Sequence, residues 1–222
     1  MTELSKTGVT PYTLASWRLT PGRTALIVID MQNDFLSADG WYAKSSVDIA
    51  HMRRAIEPTR QLVAAAREQQ VPVVWTQHGF RDAADAGVFV TLRDFLKDGG
   101  LREATWGYEL HADMDARPDD WYVRKNRLSG FYATNLDLIL RGLNTDTVVI
   151  CGVLTNQCVK ATAVDANFRD YKPIVVEEAT GTTVPHLHGP ALEMISVGIG
   201  ETRSLAQTLS DLKGLSNRIN EV

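Results

Sequence analysis

The chain has 222 residues, of which 44% are hydrophobic and 23% charged, and a formal net charge of −4. That suits one α/β domain with its own core and is short for two. The lack of a basic excess excludes the usual footprint of a nucleic-acid binder, and the apolar runs are too short to span a bilayer. Two cysteines, Cys151 and Cys158, make no disulfide framework, and Met1 to Thr10 lacks the apolar segment of a signal peptide. These features predict a cytoplasmic protein in a reducing compartment.

Residues 1–20 are polar, without a clear period, and read as an N-terminal arm; residues 21–222 form the single predicted domain. Thr24 to Asp30 is an apolar run that suits a strand buried on both faces. Residues 33–48, rich in Gly, Ser, Asp and Asn, read as a loop. Helical spacing follows from about Ile49 to Gln70, and Pro58 is expected to kink or restart that helix. Val71 to Thr76 is a second strand, and residues 79–105 look irregular, with one short helix near Leu92. Trp121 to Arg124 is a third strand, and Thr134 is placed to cap a helix through Leu140. Thr147 to Val153 is a fourth strand, with Thr155 placed to cap a helix over about 156–170. Pro173 to Glu177 is a fifth strand, followed by a helix over 189–196. A short sixth strand near 198–202 and a helix over 204–213 complete the pattern. The alternation predicts an α/β fold with a doubly wound, mostly parallel six-stranded sheet and helices on both faces.

In such a sheet ligands bind beyond the carboxyl ends of the strands. Asp30 closes the first strand, Lys125 follows the third, and Cys158 lies five residues after the fourth, in the first turn of a helix. Alone, each has a plain reading as a turn residue, a solvated cation or a small buried hydrophobe. Cys151, inside an apolar strand, fits that last reading well. Together the three supply a sulfur nucleophile, a proton acceptor and a cation, and a helix start favours the thiolate. The tight turn from Gly152 to Cys158 also offers backbone N–H groups to an oxyanion.

Three segments carry a family resemblance: Ala25-Leu-Ile-Val-Ile-Asp-Met-Gln-Asn-Asp-Phe35, Lys125-Asn-Arg-Leu-Ser-Gly-Phe131 and Val149-Ile-Cys-Gly-Val-Leu-Thr-Asn-Gln-Cys-Val159. In order and spacing the chain resembles the isochorismatase-like cysteine hydrolases from about Thr24 to Leu212. The resemblance implies strand order 3-2-1-4-5-6 and an Asp30–Lys125–Cys158 triad. It also implies a cis peptide between Val153 and Leu154, and an oxyanion hole from the N–H groups of Leu154 and Cys158. The expected reaction is hydrolysis of a C–N bond through a thioester, without a cofactor.

Nicotinamidases of this family hold a metal with an Asp-x-His pattern after the second strand. Here that place reads Thr76-Gln-His-Gly79. One imidazole makes a poor divalent site, so no metal is expected. The local features are most similar to ureidoacrylate and biuret amidohydrolases, through Asp39-Gly-Trp-Tyr42, Trp106 and Ser129-Gly-Phe131. A small amide or ureide is therefore the expected partner. Asn33, Phe35, Trp106, Arg127, Phe131 and Tyr132 are the candidate substrate contacts, with packing or surface charge as the plain alternative. A homodimer or tetramer is expected by resemblance. The alternatives left open are isochorismatase-type or other hydrolysis on the same fold, a non-catalytic ligand-binding member, and a redox role for Cys151 and Cys158.

Overall fold

A computed structural model describes residues 13–215. The first twelve positions of the expected arm lie outside the described residues. The rest of the arm runs along the domain: Trp17 N–H donates to Glu201 Oε2 at 2.8 Å, and Arg203 Nη2 donates to the Trp17 carbonyl at 2.6 Å.

Six parallel strands form the sheet: β1 (Thr24–Ile29), β2 (Val73–His78), β3 (Trp121–Lys125), β4 (Thr147–Val153), β5 (Lys172–Gly181) and β6 (Glu201–Arg203). Their spatial order is β3-β2-β1-β4-β5-β6, as expected. β1 and β4 are buried along their whole length. Because successive side chains alternate faces, they divide into two cores. Leu26, Val28, Val149 and Cys151 join one cluster, covered by α3 (Ala50–Arg53), α4 (Ile56–Glu68) and α10 (Leu205–Lys213). Ala25, Ile27, Ile29, Val148 and Ile150 join the other, covered by α7 (Leu136–Gly142), α8 (Lys160–Asn167) and α9 (His188–Ser196). Among the described residues no helix is long and apolar enough to cross a membrane.

Several local expectations need correction. Residues 33–48 are not all loop; they contain the one-turn helices α1 (Asn33–Leu36) and α2 (Trp41–Lys44), too short for a period to reveal. The buried Asp34 carboxylate holds them, accepting from the N–H of Trp41 at 2.9 Å and of Leu101 at 2.6 Å. The restart expected of Pro58 is present: the long helix begins at Ile56 and Pro58 occupies its first turn, where its missing N–H has no intrahelical role. The irregular segment holds two helical turns, α5 (Ala83–Ala86) and α6 (Val88–Thr91), and a 3₁₀ turn at Asp94–Leu96. β5 runs on to Gly181, because its register with β4 shifts between Ile150 and Gly152. Thr155 does not cap its helix; its hydroxyl bonds His188 Nδ1 at 3.0 Å, and a π turn over Thr155–Val159 leads into α8.

Gly152 fixes the spacing of the two central strands. Its φ is +109°, and a Cβ there would lie 2.1 Å from the carbonyl oxygen of Ile29. Gly152→Ala is expected to cost about 2 kcal/mol or more, read as a lower urea midpoint with an unchanged m-value.

Candidate active site

β1 stops because Asp30 turns into the left-handed region at φ 51°, which Asp tolerates better than most residues. The Gln32 N–H then closes back on the Asp30 carbonyl at 2.8 Å. This turn points the Asp30 carboxylate across the carboxyl ends of β2 and β3. Lys125 closes β3, and Cys158 sits in the π turn after β4. The sheet thus brings together three residues far apart in sequence. Lys125 Nζ lies 2.7 Å from Asp30 Oδ2 and 3.4 Å from Cys158 Sγ. All three are buried; the cysteine is only 2% exposed.

The ammonium has two further acceptors, His78 Nδ1 and the Arg127 carbonyl, each at 3.1 Å. Three N–H bonds therefore face four acceptors. Asp30 Oδ2 is the one met by ion-pair contact without an aligned hydrogen bond. Asp30 Oδ1, by contrast, accepts from Thr76 Oγ1 at 2.6 Å. The carboxylate is thus anchored by one oxygen and keeps lone-pair capacity on the other.

Asp30, His78 and Cys158 offer donor atoms that lie within 4.8 Å of one another. An oxygen, a nitrogen and a sulfur of that kind are able to ligate a divalent ion. The Lys125 ammonium, however, stands 2.7, 3.1 and 3.4 Å from those three atoms, so the place of a cation is already held by this chain. The donor set does not fit a resident metal while Lys125 occupies it.

Burial dominates the electrostatics. It raises the Cys158 thiol to about 12, against the pull of Lys125 in the other direction. The helix start predicts a thiolate, whereas the sealed sulfur is a thiol. For Lys125, burial opposes the charge, but Asp30 and Cys158 outweigh it and the pKa is raised, so the side chain is an ammonium. His78 is pushed well below the ordinary imidazole value, by burial first and then by Lys125, Arg93 and Arg127. It is therefore neutral, with Nδ1 accepting from Lys125 and the proton on Nε2. That Nε2 is buried without a hydrogen-bond partner, and the ring packs against Phe80 and Phe89.

The Val153–Leu154 peptide is cis. Leu154 and Cys158 are both buried, and the Leu154 carbonyl accepts from the N–H groups of Gln157 and Val159. A cleft of about 360 Å³ reaches this turn, lined by Tyr42, Val47, Leu92, Arg93, Phe95, Leu154, Gln157 and Thr183.

None of the six expected substrate contacts lines that cleft. Phe35 packs on Tyr42 in one core, and Phe131 lies against Tyr171 in the other. Asn33 Nδ2 donates to the Trp106 carbonyl at 2.8 Å, and its Oδ1 accepts from Ser37. Trp106 and Tyr132 are 51% and 60% exposed. Arg127 Nη1 donates to the carbonyls of Asp85 and Asn126. Arg127 reaches the triad through its own carbonyl rather than its guanidinium.

The residues that the motifs did not single out are Gln32, Tyr42, Thr76, His78 as a hydrogen-bond acceptor, and Arg93. Gln32 was the most readable, as an uncharged polar residue inside a buried motif. Its amide donates to the carbonyls of His78 and Tyr108 and accepts from the His78 N–H, tying β2 to the turn after β1.

Neutral, buried His78 makes stability pH-dependent. Its folded pKa lies below the ordinary 6.5, so the unfolded chain takes up the proton first as pH falls. The stabilisation is complete above about pH 6.5 and is lost below it, by up to about 1.4 kcal/mol per pH unit. Replacing the ring in His78→Asn removes this slope. Urea unfolding at about pH 7.5, 6 and 5 should show wild type losing ground to the variant as pH falls; parallel curves would contradict the assignment.

A family model described as the isochorismatase domain matches residues 24–207. Ureidoacrylate amidohydrolase RutB of Cronobacter sakazakii is 35% identical over 184 residues, covering 77% of each chain. Among solved structures, a cysteine hydrolase from Pseudomonas syringae pv. phaseolicola superposes with a TM-score of 0.85 at 27% identity, covering 93% of this chain and 100% of the other. N-carbamoylsarcosine amidase from Thermoplasma acidophilum gives 0.68 at 26% identity, covering 82% of this chain and 96% of the other. With its six-stranded parallel sheet and the match over most of its length, the chain belongs to the isochorismatase family.

Proposed function

We propose that the protein is a cysteine-dependent amidohydrolase of small ureido or N-carbamoyl compounds. The observation that carries this reading is the single ammonium of Lys125 held against both the Asp30 carboxylate and the Cys158 sulfur. That arrangement supplies a nucleophile, its proton acceptor and a counter-charge in one buried place. The names of the two amide-cleaving relatives support an amide substrate. The size of the cleft supports a small one.

The resting sulfur is protonated, so the cycle starts with transfer of its proton to Asp30 Oδ2, the oxygen with spare lone-pair capacity. Lys125 holds the resulting thiolate. The sulfur attacks the carbonyl carbon, and charge moves to the carbonyl oxygen, which the N–H groups of Leu154 and Cys158 receive. Asp30 returns the proton to the leaving nitrogen, the C–N bond breaks, and the acyl or carbamoyl group remains on sulfur. Water, deprotonated by Asp30, then attacks the thioester, and the thiol re-forms as the acid is released. His78 holds Lys125 from the far side and stays neutral, so it donates no charge to the cycle. Two free, buried cysteines suit a reducing cytoplasm.

Ammonia release from a panel of ureides, carbamoyl amino acids, biuret, nicotinamide and short aliphatic amides tests the substrate class. Cys158→Ala should lose at least about 10,000-fold in kcat/KM on the best substrate, and intact-mass spectra of wild type with a slow substrate should show a covalent adduct. Undiminished turnover by Cys158→Ala would sink the mechanism.

A further inference from the structure

Arg93 stands on the wall of the cleft that reaches the Leu154–Cys158 turn. Its guanidinium is fixed from three sides. Nη2 donates to Gln157 Oε1 at 2.7 Å, Nη1 donates to the Phe89 carbonyl at 3.3 Å, and Cζ lies 3.8 Å over the Phe89 ring. Both anchors lead to the triad: Gln157 precedes Cys158 in the chain, and the other side of the Phe89 contact network is the His78 ring, 4.7 Å between centroids. Among the described residues no carboxylate pairs with Arg93, although it is partly buried. A guanidinium has five N–H donors in a rigid fork, and the bonds to Gln157 and Phe89 leave donors for a ligand.

The rest of the wall suits the same ligand. Tyr42 is the other polar ring on the cleft and lies within electrostatic reach of Arg93, Cys158 and Asp30. Val47, Leu92 and Phe95 are apolar, which weakens water's competition for an ion there. The triad itself adds no net charge, because the Asp30 carboxylate and Lys125 ammonium cancel and the thiol and His78 are neutral. Arg93 is the one charged side chain among the residues that line the cleft. Arg127, the other candidate for an anionic group, does not line this cleft.

We infer that Arg93 is a specificity residue that binds a carboxylate, so that the substrate is a short ureido acid with its anion at the cleft mouth and its carbamoyl group at Cys158. This inference rests on the amidohydrolase reading for its chemistry, but the anion site is separable from it. The pair of probes is 3-ureidopropionate and n-butylurea, which present the same ureido group with and without a carboxylate. Wild type should prefer the acid by about 100-fold in kcat/KM, mainly through KM. Arg93→Gln should abolish that preference, Arg93→Lys should restore part of it, and Arg127→Gln should retain it. An equal preference in wild type and Arg93→Gln would overturn the inference. If wild type hydrolyses neither probe, amide hydrolysis of ureides fails, and calorimetry of 3-ureidopropionate on Cys158→Ala decides the anion site alone. Binding weakened at least about tenfold by adding Arg93→Gln would uphold it; no binding, or binding indifferent to Arg93, would overturn it.

Discussion

The buried ammonium of Lys125 organises this protein. Taking a charge out of water is costly unless it is paired and its hydrogen bonds are met. Here one nitrogen meets a carboxylate from the end of β1, an imidazole from the end of β2, a carbonyl from the segment after β3, and a sulfur from the turn after β4. Four segments converge on that one nitrogen. The same nitrogen fills the space among three metal-competent donors, balances Asp30, and adds to the burial that keeps His78 neutral. Stability and chemistry are the same set of contacts here.

The sheet makes such convergence inexpensive. Strands buried on both faces leave little freedom in register, because a one-residue slip exchanges the two cores. Leu26 and Val28 must meet one cluster while Ile27 and Ile29 meet the other. Once that is fixed, the ends of β1, β2, β3 and β4 arrive at one edge in a set order. The polar residues beyond those ends, Gln32 and Asp34 among them, then pin the returning loops with bonds to backbone N–H and carbonyl groups.

Much of this frame was legible in the amino-acid sequence. Continuous apolar runs such as Thr24–Ile29 and Thr147–Val153 announce fully buried strands, and a reactive side chain follows three of the strands. What escaped has physical causes. The extension of β5 is masked by Glu177 and Glu178, which interrupt the apolar run where the register shifts. One-turn helices around Asn33 and Trp41 are shorter than any period. A lone His78 reads as a fragment of a metal site, because nothing in the sequence says that an ammonium will stand beside it. Arg93 sits in a stretch without periodicity, so its place at the cleft is a tertiary fact. Among the aromatic candidates for substrate contact, Phe35 and Phe131 lie in the cores and Trp106 and Tyr132 at the surface.

The sealed sulfur has a consequence for endurance. A cysteine poised as an exposed thiolate is open to peroxide and climbs the oxidation ladder to sulfinic and sulfonic acids, from which there is little return. With its thiol at about 12 and almost no surface, Cys158 spends its idle time in the form that oxidants attack least. In the mechanism proposed above, nucleophilicity is switched on only during turnover, when Asp30 takes the proton. Cys151, buried in the opposite core, is placed on the wrong side of the sheet to serve as a resolving thiol. Without such a partner, concealment is what protects this sulfur from lasting oxidation.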